Sequence, residues 1–135
     1  MESFRKQSKN YLFPSFSTIA GSGPNGAIIH YRCNKKSNRK LNKDHLLLVD
    51  SGGQYKWGTT DITRTISFSD PSKKTKELYT RVLKGHIAVA MSKIDKYKNG
   101  NNLDKLARKS LNSVNLDYRH GTGHGVGFFM NVHEG

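Results

Sequence analysis

The clearest hydrophobic pattern in this chain is LLLVDSGGQYKWGTTDITRTISF, which ends at Phe68. Leu46–Tyr55 and Thr60–Phe68 read as two strand-like arms, rich in β-branched and apolar residues. The short Lys56–Thr59 connection between them predicts a hairpin. Upstream, Met1–Asn10 reads as the end of a polar helix and Phe13–Ser17 as an aromatic extended segment. Ser22–Gly26 reads as a turn, and Ala27–Tyr31 as a short strand ending at His30. Arg32–Asp44 has almost no apolar content and reads as a basic loop. Downstream, Ser69-Asp70-Pro71-Ser72 opens a helix with an apolar side of Leu78, Val82, Ile87, Val89 and Met91, expected to run to about Lys93. Lys98–Asn101 reads as a break before a second helix carrying Leu103, Leu106, Ala107 and Leu111. Leu116–Tyr118 then leads into a glycine- and histidine-rich segment, and the apolar stretch Val126–Val132 is expected to be the last element. Strands in the first half and helices in the middle predict an α+β fold.

Composition narrows this picture. The 135 residues suit one domain with a modest core, since only 34% are hydrophobic and the mean hydropathy is -0.71. Lys and Arg outnumber Asp and Glu by 23 to 10, giving a net charge of +13. That balance first suggests nucleic acid. The excess is scattered over Arg5–Lys9, Lys35–Lys43, Lys73–Lys76 and Lys93–Lys109, with no arginine-rich arm or base-reading motif, so nucleic acid is a minor reading. Cys33 is the only cysteine, which excludes an internal disulfide; it lies in a polar loop without a paired base and reads as incidental. No apolar run follows Met1, and no stretch approaches the ~20 apolar residues of a membrane span. A cytoplasmic location is the expectation by absence of an address. The chain stops at His133-Glu134-Gly135 with no closing element, and a truncated protein is expected.

The candidate chemistry sits in two places. Each arm of the hairpin carries one aspartate, Asp50 and Asp61, and folding the arms together brings them close. Anionic groups among apolar neighbours are costly unless something positive neutralises them. Three readings are open: turn or cap aspartates bonded to nearby Ser and Thr, a metal-binding pair, or an acid–base pair without metal. Ser51-Gly52-Gly53 suggests a close backbone approach, which favours a site. The second place is His120-Gly121-Thr122-Gly123-His124-Gly125-Val126-Gly127. The i,i+4 histidines have the spacing of a helical zinc motif, but the glycines argue against a helix. One ligand plus one pocket histidine fits better, and no lysine followed by Ser or Thr supports a Walker A site. His30 and His133 read either as satisfied core histidines or as donors to a substrate carbonyl or developing oxyanion. Glu134 reads as a ligand or base. Trp57 and Tyr55 read as pocket lining or as packing for the hairpin. Two carboxylates with imidazole suit manganese, cobalt or zinc.

At these residues the sequence closely resembles the Xaa-Pro aminopeptidases (aminopeptidase P), in their larger cytosolic form. The stretches that carry the resemblance are SFSTIAGSGPNGAIIHYR, LLLVDSGGQYKWGTTDITRTISF, VLKGHIAVA and LDYRHGTGHGVGFFMNVHEG. Methionine aminopeptidases and prolidases share the fold but look less like them. The resemblance implies a partial pita-bread (creatinase/aminopeptidase) fold, the first half plus the start of the second. It implies two divalent metal ions, usually manganese, with zinc or cobalt as alternatives. Asp50 would bind one ion, Asp61 would bridge both, and His124 would ligate the other. His30, His120 and His133 match catalytic pocket histidines that bind substrate and stabilise the tetrahedral intermediate. The implied partners are peptides with proline at position two, with homodimerisation in the full-length form. The resemblance implies two further metal-binding glutamates beyond the HEG stretch and further domains upstream, and both are expected to be missing from these residues. Residues 1–135 are therefore expected to be a partial catalytic domain, inactive and unstable alone. Asn112 and Asn115 depart from the tryptophan and glycine that relatives often carry. The alternatives are a noncatalytic peptide- or protein-binding relative and a basic nucleic-acid-associated module of the same fold.

Overall fold

The computed structural model describes residues 1–93, 95 and 99–134, so Lys98 of the expected inter-helix break lies outside them. The chain divides into two compact units. One comprises residues 1–70 with the segment from His124 onward, and the other comprises residues 71–123. Among the described residues no helix is long and apolar enough to cross a membrane.

The first unit begins with a short helix α1 (Glu2–Arg5), and the rest of the expected polar helix to Asn10 is turn. Arg5 bridges Glu2 at 2.6 Å and Ser51 at 2.9 Å. The Tyr11 hydroxyl also bonds Glu2, and burial with that carboxylate pushes the phenol up to about 12. β1 (Tyr11–Pro14), β4 (Gly53–Tyr55) and β5 (Gly58–Thr59) form one antiparallel sheet. β2 (Ile19–Ser22), β3 (Leu46–Ser51) and β6 (Ile62–Ser67) form another, with β3 in the centre. The expected hairpin is present but divided between these sheets: its tip pairs Gln54 with Thr59, and its base pairs Leu46–Ser51 with Ile62–Ser67 in unbroken antiparallel register. The switch occurs at Gly52, where a β-carbon would stand 1.8 Å from the Thr60 carbonyl oxygen and 2.2 Å from Ser15 Oγ.

The expected strand over Ala27–Tyr31 is not formed. Gly23–Ala27 is a 3-10 helix with proline in its first turn, and His30 takes a left-handed backbone at φ 53°. The side chains explain the departure from the apolar pattern. Tyr31 turns inward and its hydroxyl bonds the Ser37 carbonyl at 2.8 Å, while Asn25 Nδ2 bonds that hydroxyl at 2.9 Å and the same carbonyl at 2.8 Å. This polar triad, with Asn25 and Tyr31 buried and Ser37 half-buried, holds the chain in a turn and pins the basic loop 32–44, which is irregular as expected.

The second unit is a pair of helices. α2 (Lys73–Ala90) starts at Ser72, whose hydroxyl accepts from the Thr75 N–H at 3.1 Å as an N-cap; it stops three residues before the expected Lys93. The inward face of α2 differs from the expected one. Leu78, Arg81, Gly85, Ala88 and Val89 are buried or half-buried, whereas Val82, Ile87 and Met91 are exposed. Gly85 lets α3 (Gly100–Asn112) approach closely, and a β-carbon there would lie 2.1 Å from the Ala107 carbonyl oxygen. In an open helix, Gly→Ala gains up to about 1 kcal/mol. Here Gly85→Ala is expected to cost about 2–3 kcal/mol, read as a lower urea midpoint of the helical CD signal. After α3 the chain reverses through Asn115 at φ 56°, with the Leu116 N–H returning to the Leu111 carbonyl at 3.2 Å. Asparagine tolerates this left-handed backbone better than most residues.

Buried hydrophobic residues among those described are Tyr31, Ala107 and Leu111, while β6 is exposed along its length. Trp57 is 81% exposed at the hairpin tip, and Tyr55 packs edge-on against Tyr11. The Val126–Val132 stretch forms no strand or helix. Instead Gly125 and Glu134 exchange backbone hydrogen bonds at 2.8 and 3.0 Å as an isolated bridge, closing the segment into a loop.

Candidate active site

A cavity of about 810 Å³ opens in the first unit, bordered by Asp50, Asp61, His124, His30 and His133. That volume suits a small-molecule or peptide ligand. The cavity also touches Cys33, which the sequence reading set aside, together with Arg32, Phe16 and Met130.

Asp50 enters from the central strand, sharing a face with Leu46 and Leu48 because side chains alternate along β3. Asp61 sits in the gap between β5 and β6. Its preceding residue, Thr60, is tied to the opposite arm: the Thr60 N–H donates to the Gly53 carbonyl at 2.9 Å, the Gly53 N–H donates to Thr60 Oγ1 at 2.9 Å, and Ser15 Oγ donates to the Thr60 carbonyl at 2.7 Å. Two residues beyond Asp50, Gly52 lets this lock close. The carboxyl groups of Asp50 and Asp61 come within hydrogen-bonding reach of each other. Burial first, and the Asp50 charge second, push the Asp61 carboxyl up, against the opposing pull of His124 and His133.

His124 completes the arrangement from the closed loop. Its Nδ1 lies 2.8 Å from the Gly125 carbonyl oxygen, so the ring N–H is committed there. Its Nε2 lies 3.4 Å from Asp61 Oδ2. In the neutral ring this sets one lone pair against another, which calls for a proton or a cation between them. His133 stacks on His124, with centroids 4.1 Å apart and planes 12° apart, and meets His30 edge-on at 6.1 Å.

The donor set fits a divalent metal ion on four grounds. Two carboxylates lie near each other, and the basic side chain paired with Asp61 is an imidazole, itself a metal-ligand type, rather than a lysine or arginine. Asp50 Oδ1 is buried and lacks a hydrogen-bond partner. The imidazole donates its second nitrogen to a backbone carbonyl, as metal-ligating histidines do. Donors that each lie about 2.0–2.2 Å from one ion stand about 3–3.5 Å apart, the separation between His124 and Asp61. Among the described residues, however, no three His, Cys, Asp or Glu side chains form a finished metal-binding cluster. Asp61 is instead the member shared by two pairs, one with Asp50 and one with His124. Glu134 Oε1 is buried and unpartnered in the same loop.

His120 belongs to the second unit. Its Nδ1 lies 2.7 Å from the Gly121 carbonyl oxygen, and its ring stacks on Tyr118 at 4.6 Å. This segment is irregular, as its glycines predict. Arg108, which the sequence reading counted only as scattered basic charge, is the hub of the region. It ion-pairs with Asp104 and Asp117, both at 2.8 Å; its i+4 spacing from Asp104 was the one local signal. The Arg108 guanidinium, helped by Thr122, holds the Asp104 carboxyl below its ordinary 3.8. Arg108 and the Tyr118 N–H do the same for Asp117. Depressed carboxyl values contribute stability that is present above the ordinary value and lost as pH falls through the folded ones. The helical unit is therefore expected to lose urea resistance as pH drops below 3.8, and Asp104→Asn is expected to flatten that dependence.

The sequence profile of metallopeptidase family M24 matches residues 1–135. Aminopeptidase P2 of Arabidopsis thaliana is 53% identical over 132 residues, covering 98% of this chain and 19% of the relative. Xaa-Pro aminopeptidase ApepP of Drosophila melanogaster is 53% identical over 135 residues, covering 100% of this chain and 22% of the relative. Among solved structures, the X-prolyl aminopeptidase of Caenorhabditis elegans, described as a cytosolic enzyme with a di-nuclear active site, superposes with a TM-score of 0.87 at 42% identity, over 98% of this chain and 22% of its own. Prolidase from Pyrococcus furiosus superposes with a TM-score of 0.77 at 29% identity, over 93% and 36%. The chain thus spans about a fifth of the length of the curated relatives it matches. Its α+β architecture is part of the pita-bread fold of these neighbours, and the chain belongs to metallopeptidase family M24.

Proposed function

We propose that residues 1–135 form part of the catalytic domain of a metal-dependent Xaa-Pro aminopeptidase, which hydrolyses the bond between an N-terminal residue and a penultimate proline. The observation that carries this reading is Asp61, held between the carboxyl group of Asp50 and Nε2 of His124 at the wall of an 810 Å³ cavity. Asp50 would ligate one divalent ion, Asp61 both, and His124 the other. Manganese leads over zinc and cobalt for a set dominated by carboxylate oxygen. When bound, such ions supply Lewis acidity and a water acidic enough to attack at neutral pH. The chain's own residues do the rest. His30 and His133 border the cavity and orient the peptide; His120 is assigned a substrate-binding role by the family resemblance alone. With Nδ1–H committed to a carbonyl, the remaining nitrogen of His120 accepts a proton-bearing group when neutral and donates to an oxyanion when protonated. Proline carries no N–H and has a fixed φ, so a substrate with proline second needs a site shaped for it.

The same reading accounts for the exposed apolar residues of β6 and α2 as surface that further sequence of the domain covers. Remaining ligands, including two glutamates, would come from that sequence, and the 135 residues alone would bind metal weakly. The C. elegans neighbour, described as cytosolic, supports a cytoplasmic location.

A chimera tests the proposal. The Drosophila relative is 53% identical to the whole chain, so these residues can replace its matching segment. Manganese-dependent release of the first residue from an Xaa-Pro-Pro peptide supports the reading. A folded chimera without turnover counts against it, in favour of a noncatalytic peptide-binding relative.

A further inference from the structure

We propose that Arg108 is the positioning residue for His120, holding the histidine-bearing loop and its imidazole to helix α3. The catalytic significance of His120 rests on the aminopeptidase reading; the clamp itself rests on geometry within residues 104–122.

Four of the five guanidinium N–H groups of Arg108 are used. Nε donates to both oxygens of Asp104 at 2.9 and 2.8 Å, one turn earlier on the same helix. Nη1 donates to Asp117 Oδ1 at 2.8 Å and to the Tyr118 carbonyl at 2.6 Å. Nη2 donates to the His120 carbonyl at 2.7 Å. Asp104 therefore orients the fork from the helix, and the far side of the fork grips alternate carbonyls of the loop. The Arg108 side chain is only 16% exposed; its bonds to Asp104 and the Tyr118 carbonyl are part-buried, while those to Asp117 and the His120 carbonyl face solvent.

A second set of contacts passes from the guanidinium to the imidazole. The Arg108 carbon Cζ lies 4.0 Å from the Tyr118 ring centroid, a cation–π distance. The Tyr118 ring stacks on the His120 ring at 4.6 Å and 24°. The Tyr118 hydroxyl meets Thr122 Oγ1 at 2.6 Å, and Thr122 Oγ1 donates to Asp104 Oδ1 at 2.5 Å, returning to the start. The loop contains Gly121 and Gly123, where an added β-carbon would meet nothing within 4 Å. Side-chain packing at these glycines does not hold the loop, and the clamp takes that role. Lysine cannot replace arginine here, since one ammonium cannot span two carboxylates and two carbonyls in a plane.

The test is the aromatic NMR signal of His120 in the 135-residue chain, assigned with His120→Gln. The Tyr118 ring current should shift His120 Cε1–H away from the position of free histidine. Arg108→Lys keeps the charge and loses the fork; Asp104→Asn leaves Arg108 in place and loosens its anchor. Both are expected to retain helical CD and to lose that shift, with the lysine variant failing to rescue. A merely stabilising Arg108 would lower the unfolding midpoint and leave the native His120 signal unmoved, which overturns the proposal. Unfolding of both variants, or a parent signal already at the free-histidine position, overturns it too. If only Arg108→Lys unfolds, Asp104→Asn decides. The readout is independent of turnover, so a lost shift beside an inactive chimera would sink the aminopeptidase reading and leave the clamp standing.

Discussion

Gly52→Ala is expected to unfold the strand-rich unit. A β-carbon at this position would stand 1.8 Å from the Thr60 carbonyl oxygen, 2.2 Å from Ser15 Oγ and 2.8 Å from the Thr60 carbonyl carbon. None of these can yield without breaking the bonds that tie Thr60 to Gly53 and Ser15. Relief requires the two arms of the hairpin to separate where β3 gives way to β4. The expected cost exceeds about 3 kcal/mol. With so few buried apolar side chains, the unit has little reserve against such a loss. Gly58→Ala, in the same hairpin, is the control: nothing lies within 4 Å of its β-carbon position. It should stay within about 0.5 kcal/mol of the parent. Urea unfolding of the two variants side by side is the measurement, and equal midpoints would mean that Gly52 makes no close approach. The effect also reaches the site, because separating the arms moves Asp61 away from Asp50.

Asp61→Ala is expected to abolish metal-dependent turnover in the chimera. Loss of groups that merely support a metal ligand costs about 10–100-fold, so removing the carboxylate shared by both pairs should cost at least about 100-fold. Asp61→Asn separates charge from shape. It removes the repulsion with Asp50 that helps push the Asp61 carboxyl up. The metal-free protein should therefore melt slightly higher, while the manganese-induced rise in melting temperature disappears. Opposite movement of these two quantities is the signature of a group kept for binding at a cost in stability. If manganese still raised the melting temperature of Asp61→Asn as it does the parent, Asp61 would not be a ligand, and the pair would revert to an acid–base or capping role.

Much of this protein is legible along the chain. The Leu46–Phe68 pattern determines the hairpin because alternation and turn residues are local properties, and the observed base pairs Leu46 with Ser67 and Ser51 with Ile62. Ser72 announces the start of α2 for the same reason, since a cap acts on a backbone N–H three residues away. The glycines around His120 and His124 exclude a helix by their backbone freedom alone. Family membership follows from residue identities and needed no coordinates.

What only the tertiary structure decided depends on partners distant in sequence. Ala27–Tyr31 has the apolar content of a strand, but Tyr31 is drawn inward by Asn25 and Ser37, and His30 is left in a turn. The face of α2 that turns inward was set by the close approach at Gly85, not by its most apolar stripe. Arg108 looks like one cation among 23 basic residues until Asp104, Asp117 and two loop carbonyls converge on it. Asp50, Asp61 and His124 are individually visible in the sequence. That Asp61 stands between the other two follows from a lock through Gly52 and a loop closed by Gly125 and Glu134. Periodicity records what each residue prefers, whereas a site is made by which preferences can be satisfied together in one packed arrangement.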